Sequence, residues 1–190
     1  HWDDPETPFE DVLGTYQELI KAGKVRAIGA SNLTAERLTE SLSVAKQHNL
    51  PRYETLQPLY NLYDRAGFED GLEAICRDNE LGVINYYSLA SGFLTGKYRS
   101  KDDLGQSARG QTVEKYLTDR GSRIIAALDQ VARANDATPA QIAIAWLIAR
   151  PAVTAPIASA TRLTQLNELI DAAQIKLDDE AIALLDKASA

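Results

Sequence analysis

The sequence predicts an α/β fold built on a parallel sheet, and three observations carry that reading. Short apolar runs alternate with longer amphipathic segments at a spacing of about 30 residues, as repeated strand–helix units do. The short runs are almost continuously apolar, the pattern of strands covered on both faces. The amphipathic segments open and close on capping signals. At 190 residues the chain is long enough for one domain with a sizeable core.

The elements follow in order. Thr7-Pro8-Phe9-Glu10 reads as a capping box with proline at the first helical position. Phe9, Val12, Leu13, Tyr16, Leu19 and Ile20 then form one apolar stripe, and Gly23 ends the helix. Val25–Ala30 reads as a strand, followed by a helix carrying Leu38, Leu42 and Ala45. Thr55–Leu59 reads as a second strand, Phe68–Asn79 as a helix and Val83–Tyr87 as a third strand. A polar, glycine-containing segment spans Ser100–Gln111, long enough to be a binding loop. A helix carries Ile124, Ile125, Leu128 and Val131. A second capping box, Thr138-Pro139-Ala140-Gln141, opens the apolar stretch Ile142–Ala149, a helix that must be buried all round. Val153–Ile157 reads as the last strand, and two helices follow, one through Leu166 and Ile170, one through Ile182, Leu184 and Leu185. This pattern fits a doubly wound open sheet and a (β/α)8 barrel equally well. A barrel needs eight strands in typically about 250 residues, so a barrel would leave roughly four strands unaccounted for.

Composition narrows the function classes. A net charge of −7 argues against a nucleic-acid or anionic-membrane partner, because phosphate surfaces demand a basic face. No apolar run approaches the roughly 20 residues of a membrane span. The one cysteine, Cys76, follows Leu72 and Ile75 on a helical face and reads as a buried structural thiol in a reducing, cytoplasmic compartment. The chain opens on His1 and contains no Met, so it reads as cut, processed or partial. No G-x-G-x-x-G follows a strand. Gly92-Phe93-Leu94-Thr95-Gly96-Lys97 has too few residues between its glycines for a P-loop, and Tyr98 stands where Ser or Thr would bind magnesium. The histidine and cysteine supply is too small for a zinc cluster, so no metal is expected.

The informative residues stand at strand ends. Ser31 and Asn32 follow the first strand, Gln57 lies in the second, Tyr86 and Tyr87 end the third, and Ser159–Arg162 follow the last. In a parallel α/β fold these ends face one way, toward ligand. Asn and Gln offer paired donors and acceptors suited to a carboxamide, and Tyr offers a flat face to an aromatic ring. Each has an ordinary alternative: Ser31-Asn32 as a helix cap, Gln57 as a backbone partner, Tyr86 as core. Lys97, Arg99, Lys101, Arg109 and Arg162 gather positive charge in an otherwise acidic chain, diluted by Asp102 and Asp103.

Together these segments resemble the aldo-keto reductase family. The resemblance rests on His1-Trp2 with Thr7-Pro8, on Gly23 through Asn32, and on Gln57-Pro58-Leu59-Tyr60-Asn61. It continues through Gly82 to Leu89, Gly92 to Tyr98, and Pro156 to Arg162 with Gln165 and Glu168. The closest flavour is the bacterial branch related to potassium-channel β subunits. Where the family usually shows Tyr-Ser-Pro-Leu, this chain has Tyr86-Tyr87-Ser88-Leu89.

The resemblance implies a (β/α)8 barrel of which residues 1–190 form the carboxyl-terminal half, strands five to eight, binding NADP(H) in extended form. By position, Ser31, Asn32 and Gln57 would hold the nicotinamide carboxamide, and Tyr86 would stack on the ring. Leu89, Ser91 and Lys97 would line the pyrophosphate path. Arg109, Thr161, Arg162 and Gln165 would surround the 2′-phosphate, and Glu168 would contact the adenine. Of the family's Asp, Tyr, Lys and His catalytic groups, only His1 has a counterpart here. The implied reaction is hydride transfer to an aldehyde or ketone, with a small carbonyl compound as substrate. The alternative is a nicotinamide-sensing interaction module with little turnover, and an open half-barrel is expected to self-associate.

Overall fold

A computed structural model describes residues 1–106 and 110–190, which divide into two compact units. The first unit comprises His1–Leu59 and Ala66–Ile84. It holds helix α1 (Phe9–Lys21), strand β1 (Ile28–Ser31), helix α2 (Ala35–Gln47), strand β2 (Tyr53–Gln57), the short helices α3 (Ala66–Glu69) and α4 (Leu72–Asp78), and strand β3 (Gly82–Val83). The strands form one parallel sheet in the order β1-β2-β3. Its core includes Leu13, Leu38, Leu56, Phe68 and Val83, all fully buried.

The local reasons differ in places from the sequence signals. Thr7 does not cap α1: Pro8 occupies the N-cap, and the Thr7 hydroxyl donates instead to Asp4 at 2.7 Å. Gly23 does end α1, with φ of 70° and its N–H on the Ile20 carbonyl at 2.9 Å. The helix expected over Phe68–Asn79 breaks in two at Gly71, whose φ of 150° an ordinary residue rarely adopts. Cys76 is buried, and burial pushes its thiol up to about 11.

The second unit comprises Tyr60–Arg65 and Asn85–Ala190. It is largely helical: α5 (Gly110–Val113), α6 (Asp119–Ala134), α7 (Pro139–Ile148), α8 (Leu163–Ala172) and α9 (Asp179–Ser189), with 3₁₀ turns over Ala90–Thr95, Lys101–Gln106 and Glu114–Tyr116. Helix α7 packs against α6 and α8, and α6 against α9. The predicted capping box of α7 is present on both sides: Gln141 N–H donates to the Thr138 hydroxyl, and Thr138 N–H to the Gln141 side chain. Its residues Ile142–Leu147 are all buried. Trp146, fully buried, donates its indole N–H to Asp186 at 2.9 Å and lies under the guanidinium groups of Arg65 and Arg150.

The expected strand over Val153–Ile157 does not form, and the strand expected over Val83–Tyr87 shortens to Gly82–Val83. Pro156 has no N–H to give a ladder, and left-handed backbone at Tyr87, Ala90 and Ser91 bends the chain away from extension. Between the two segments Ile157 N–H still donates to the Asn85 carbonyl at 3.0 Å, and Tyr60 N–H donates to the Tyr86 carbonyl at 3.4 Å.

Candidate cofactor-binding site

In the first unit the parallel register places Ser31 opposite Gln57 at the carboxyl ends of β1 and β2. The Ser31 hydroxyl donates to the Gln57 backbone carbonyl at 2.8 Å, pinning the two strand ends together. Asn32 follows with φ of 56°, a left-handed conformation that Asn tolerates better than most residues. Its amide donates to the Ser31 hydroxyl at 3.0 Å and to the His1 carbonyl at 2.9 Å. The ordinary alternative for this pair falls away, because Thr34 is the cap of α2, accepting from Arg37 N–H. The Gln57 side chain is half-buried and makes no hydrogen bond among the described residues. Ser31, Asn32 and Gln57 therefore form one polar patch, and the Gln57 carboxamide is left with donors and acceptor to offer. His1 is exposed, and its carbonyl accepts the Asn32 amide.

In the second unit Tyr86 is half-buried, its ring centroid 5.3 Å from that of Tyr87, and burial raises its hydroxyl pKa, helped by Tyr87 and Asp64. After it the chain turns through left-handed Tyr87, Ala90, Ser91 and Gly92. The Leu89 carbonyl closes that turn, accepting Gly92 N–H at 2.8 Å and Leu94 N–H at 3.2 Å. Lys97 is exposed, its ammonium 4.9 Å from the centre of the Tyr98 ring. Gly92 lies close under the Lys97 side chain, so Leu89, Ser91 and Lys97 share one small loop.

The expected basic patch is only partly available. Arg99 forms a bidentate pair with Asp129 at 2.7 and 2.9 Å, holding that carboxyl below its ordinary range, and Lys101 pairs with Glu114 at 2.8 Å. Arg109 lies outside the described residues. At the start of α8 the Gln165 side chain accepts from both Thr161 N–H at 3.0 Å and the Thr161 hydroxyl at 3.1 Å, so these two are brought together. Arg162 is the N-cap residue beside them and is exposed. Glu168 is half-buried further along the same helix.

Sequence reasoning passed over the residues that hold these loops. Asn61 donates to the Tyr87 carbonyl at 3.1 Å and to Asp64 at 3.1 Å, and Tyr116 donates to the same Asp64 carboxylate at 2.8 Å. Burial and that carboxylate raise the Tyr116 pKa strongly. Asn85 and Ser88 are also buried. The available signal was polarity inside an apolar run, Asn85 within Val83–Tyr87.

Comparison with known proteins identifies the frame in which these residues sit. The profile described as the aldo/keto reductase family matches residues 1–190. The chain belongs to the aldo/keto reductase family. It is 29% identical over 182 residues to the Schizosaccharomyces pombe protein named aldo-keto reductase yakc [NADP(+)], covering 93% of this chain and 52% of that one. It is 31% identical over 189 residues to protein tas of Escherichia coli, covering 97% and 54%. A crystal structure of a thermostable aldo-keto reductase with the inhibitor epalrestat superposes with a TM-score of 0.78 at 30% identity, over 99% of this chain and 57% of that chain. The chain thus spans about half the length of the relatives it matches. In the first unit the side-chain amides of Asn32 and Gln57 stand at adjacent strand ends, a donor set that fits a carboxamide such as that of a nicotinamide. In the second unit Thr161, Arg162 and Gln165 gather at one helix start, a set that fits a phosphate.

Proposed function

We propose that this aldo-keto reductase chain carries the NADP(H)-binding residues of an oxidoreductase that reduces aldehydes or ketones to alcohols, and that it corresponds to strands five to eight of a (β/α)8 barrel. The observation that carries the reading is the register of Ser31 with Gln57, which presents Asn32 and a Gln57 carboxamide with no protein partner among the described residues at neighbouring strand ends. In this reading Ser31, Asn32 and Gln57 orient the nicotinamide carboxamide, and Tyr86 offers its ring face. Leu89, Ser91 and Lys97 follow the pyrophosphate. Thr161, Arg162 and Gln165, with Arg109, take the 2′-phosphate, and Glu168 the adenine. The name yakc [NADP(+)] supports the phosphorylated cofactor. When bound, the nicotinamide supplies the hydride. The residues of this chain bind and orient, and His1 polarises the carbonyl. No residue of 1–190 is assigned to proton donation in this reading, so the isolated chain is expected not to turn over.

The test is calorimetric titration of the full-length protein with NADPH, alongside steady-state reduction of 4-nitrobenzaldehyde. Asn32→Ala and Gln57→Ala are each expected to weaken NADPH binding about tenfold, the scale of one lost polar contact to a ligand. Wild-type protein that neither binds NADPH nor reduces the aldehyde would overturn the reading.

A further inference from the structure

The second unit contains a closed ring of hydrogen bonds around Ile157. Its N–H donates to the Asn85 carbonyl at 3.0 Å. Its carbonyl accepts from the Ser88 hydroxyl at 2.7 Å. That hydroxyl in turn accepts from the Asn85 side-chain amide at 3.1 Å, and the same amide donates to the Tyr60 carbonyl at 2.8 Å. Ser88 and Asn85 are 1% and 0% exposed, so the bonds from the Asn85 amide are sheltered from water, and a Ser88 hydroxyl or Asn85 amide left unpaired would be costly.

The segment held by this ring has little else to hold it. Residues Ala155–Ala160 adopt no helix or strand, and Ala158 and Ser159 are exposed. Among the described residues, the hydrogen bonds made by Ala155–Ala160 are the two at Ile157. Directly beyond lie Thr161, Arg162 and Gln165. Gln165 is carried by α8, which packs on α7, whereas Thr161 and Arg162 enter that helix from this segment, so their approach to it depends on where Ile157 is fixed.

We propose that Ser88 is a positioning residue: its buried hydroxyl clasps the Ile157 carbonyl and so sets Thr161, Arg162 and Gln165 for the 2′-phosphate of the dinucleotide. The proposal rests on the NADP(H) reading above. Ser88 touches no part of the cofactor; it acts through the backbone of residues 157–161. It also joins the turn bearing Leu89 and Ser91 to the segment bearing Thr161 and Arg162, two stretches far apart in sequence.

The experiment uses the full-length protein with Ser88→Ala and Ser88→Thr. Amide hydrogen exchange, without nucleotide, is expected to quicken at Ile157, whose N–H is bonded to the Asn85 carbonyl, in Ser88→Ala while α6 and α7 keep their protection, which shows that the variant is folded. NADPH affinity should fall about tenfold, and NADH affinity, which lacks the 2′-phosphate, by about twofold or less. Ser88→Thr, which keeps the hydroxyl, should match wild type in both measurements. Unchanged exchange at the Ile157 amide in Ser88→Ala, equal losses for NADPH and NADH, or a Ser88→Thr protein that behaves like Ser88→Ala would each overturn the proposal. Wild-type protein that binds no NADPH would instead remove the cofactor reading, while the exchange comparison still decides whether the clasp exists.

Discussion

Arg37 is committed on every side. Its guanidinium donates to both Asp3 oxygens at 2.7 and 2.9 Å and to Glu40 at 2.7 Å, and lies 4.1 Å from the centre of the Phe9 ring. The hydrogen bonds from Arg37 hold the Asp3 carboxyl below its ordinary 3.8, against the opposing pull of desolvation. A depressed folded pKa means stability that is present above the unfolded value and is lost as pH falls through the folded one. Asp3→Asn is therefore expected to flatten the acid limb of the stability profile below about pH 4, read by thermal melts across pH. Gly121 makes a different demand. A Cβ there would fall 1.9 Å from the Tyr116 carbonyl oxygen and 2.9 Å from the Phe93 ring, and the first of these is backbone that cannot swing aside. Gly121→Ala should cost about 1–3 kcal/mol in denaturant unfolding, the usual cost of overpacking. Neither demand is legible from the sequence, because Asp3 with Arg37 and Gly121 with Tyr116 become neighbours only after the chain has folded.

Helix starts separate what local chemistry decides from what neighbours override. Thr138 and Thr7 each precede a proline and stand three residues before Gln or Glu. The first caps α7, whereas the second donates to Asp4 and leaves Pro8 at the N-cap. Thr138→Ala should thus destabilise by about 1 kcal/mol, the usual worth of a lost cap. Thr7→Ala should cost about half of that or less, since its bond is on the exposed surface. Denaturant midpoints of the two variants, measured side by side, check the contrast. The same division explains which elements were readable. The apolar stripes of α1 and α6 and the capping box of α7 are legible in the sequence, and β1 and β2 form close to the expected runs, but β1 takes in Ser31 and β2 ends at Gln57 instead of running on to Leu59. Val153–Ile157 is apolar in composition and so reads as a strand, yet Pro156 lacks an N–H for a ladder, and the Ile157 N–H and carbonyl are met by Asn85 and Ser88 instead. Arg99 and Lys101 count toward a cluster of positive charge in the sequence, but their carboxylate partners Asp129 and Glu114, which neutralise them, lie 30 and 13 residues further along the chain.

On the scale of the whole molecule, apolar surface is unevenly distributed. Helix α8 exposes Leu163 by 78%, Leu166 by 45% and Ile170 by 58%, a stripe that a soluble surface seldom leaves uncovered. The isolated 190-residue chain should scatter light at lower concentration than its Leu166→Glu/Ile170→Glu variant, and equal solubility of the two would count against this. The tryptophans are distributed just as unevenly. Trp2 belongs to the first unit and is 74% exposed, whereas Trp146 belongs to the second and is wholly enclosed, its indole bonded to Asp186. Each unit thus carries its own emitter in an opposite environment, one red-shifted and open to acrylamide, the other shielded. A quenching series recorded through a urea titration would therefore follow the melting of the second unit through Trp146, over a nearly constant contribution from Trp2.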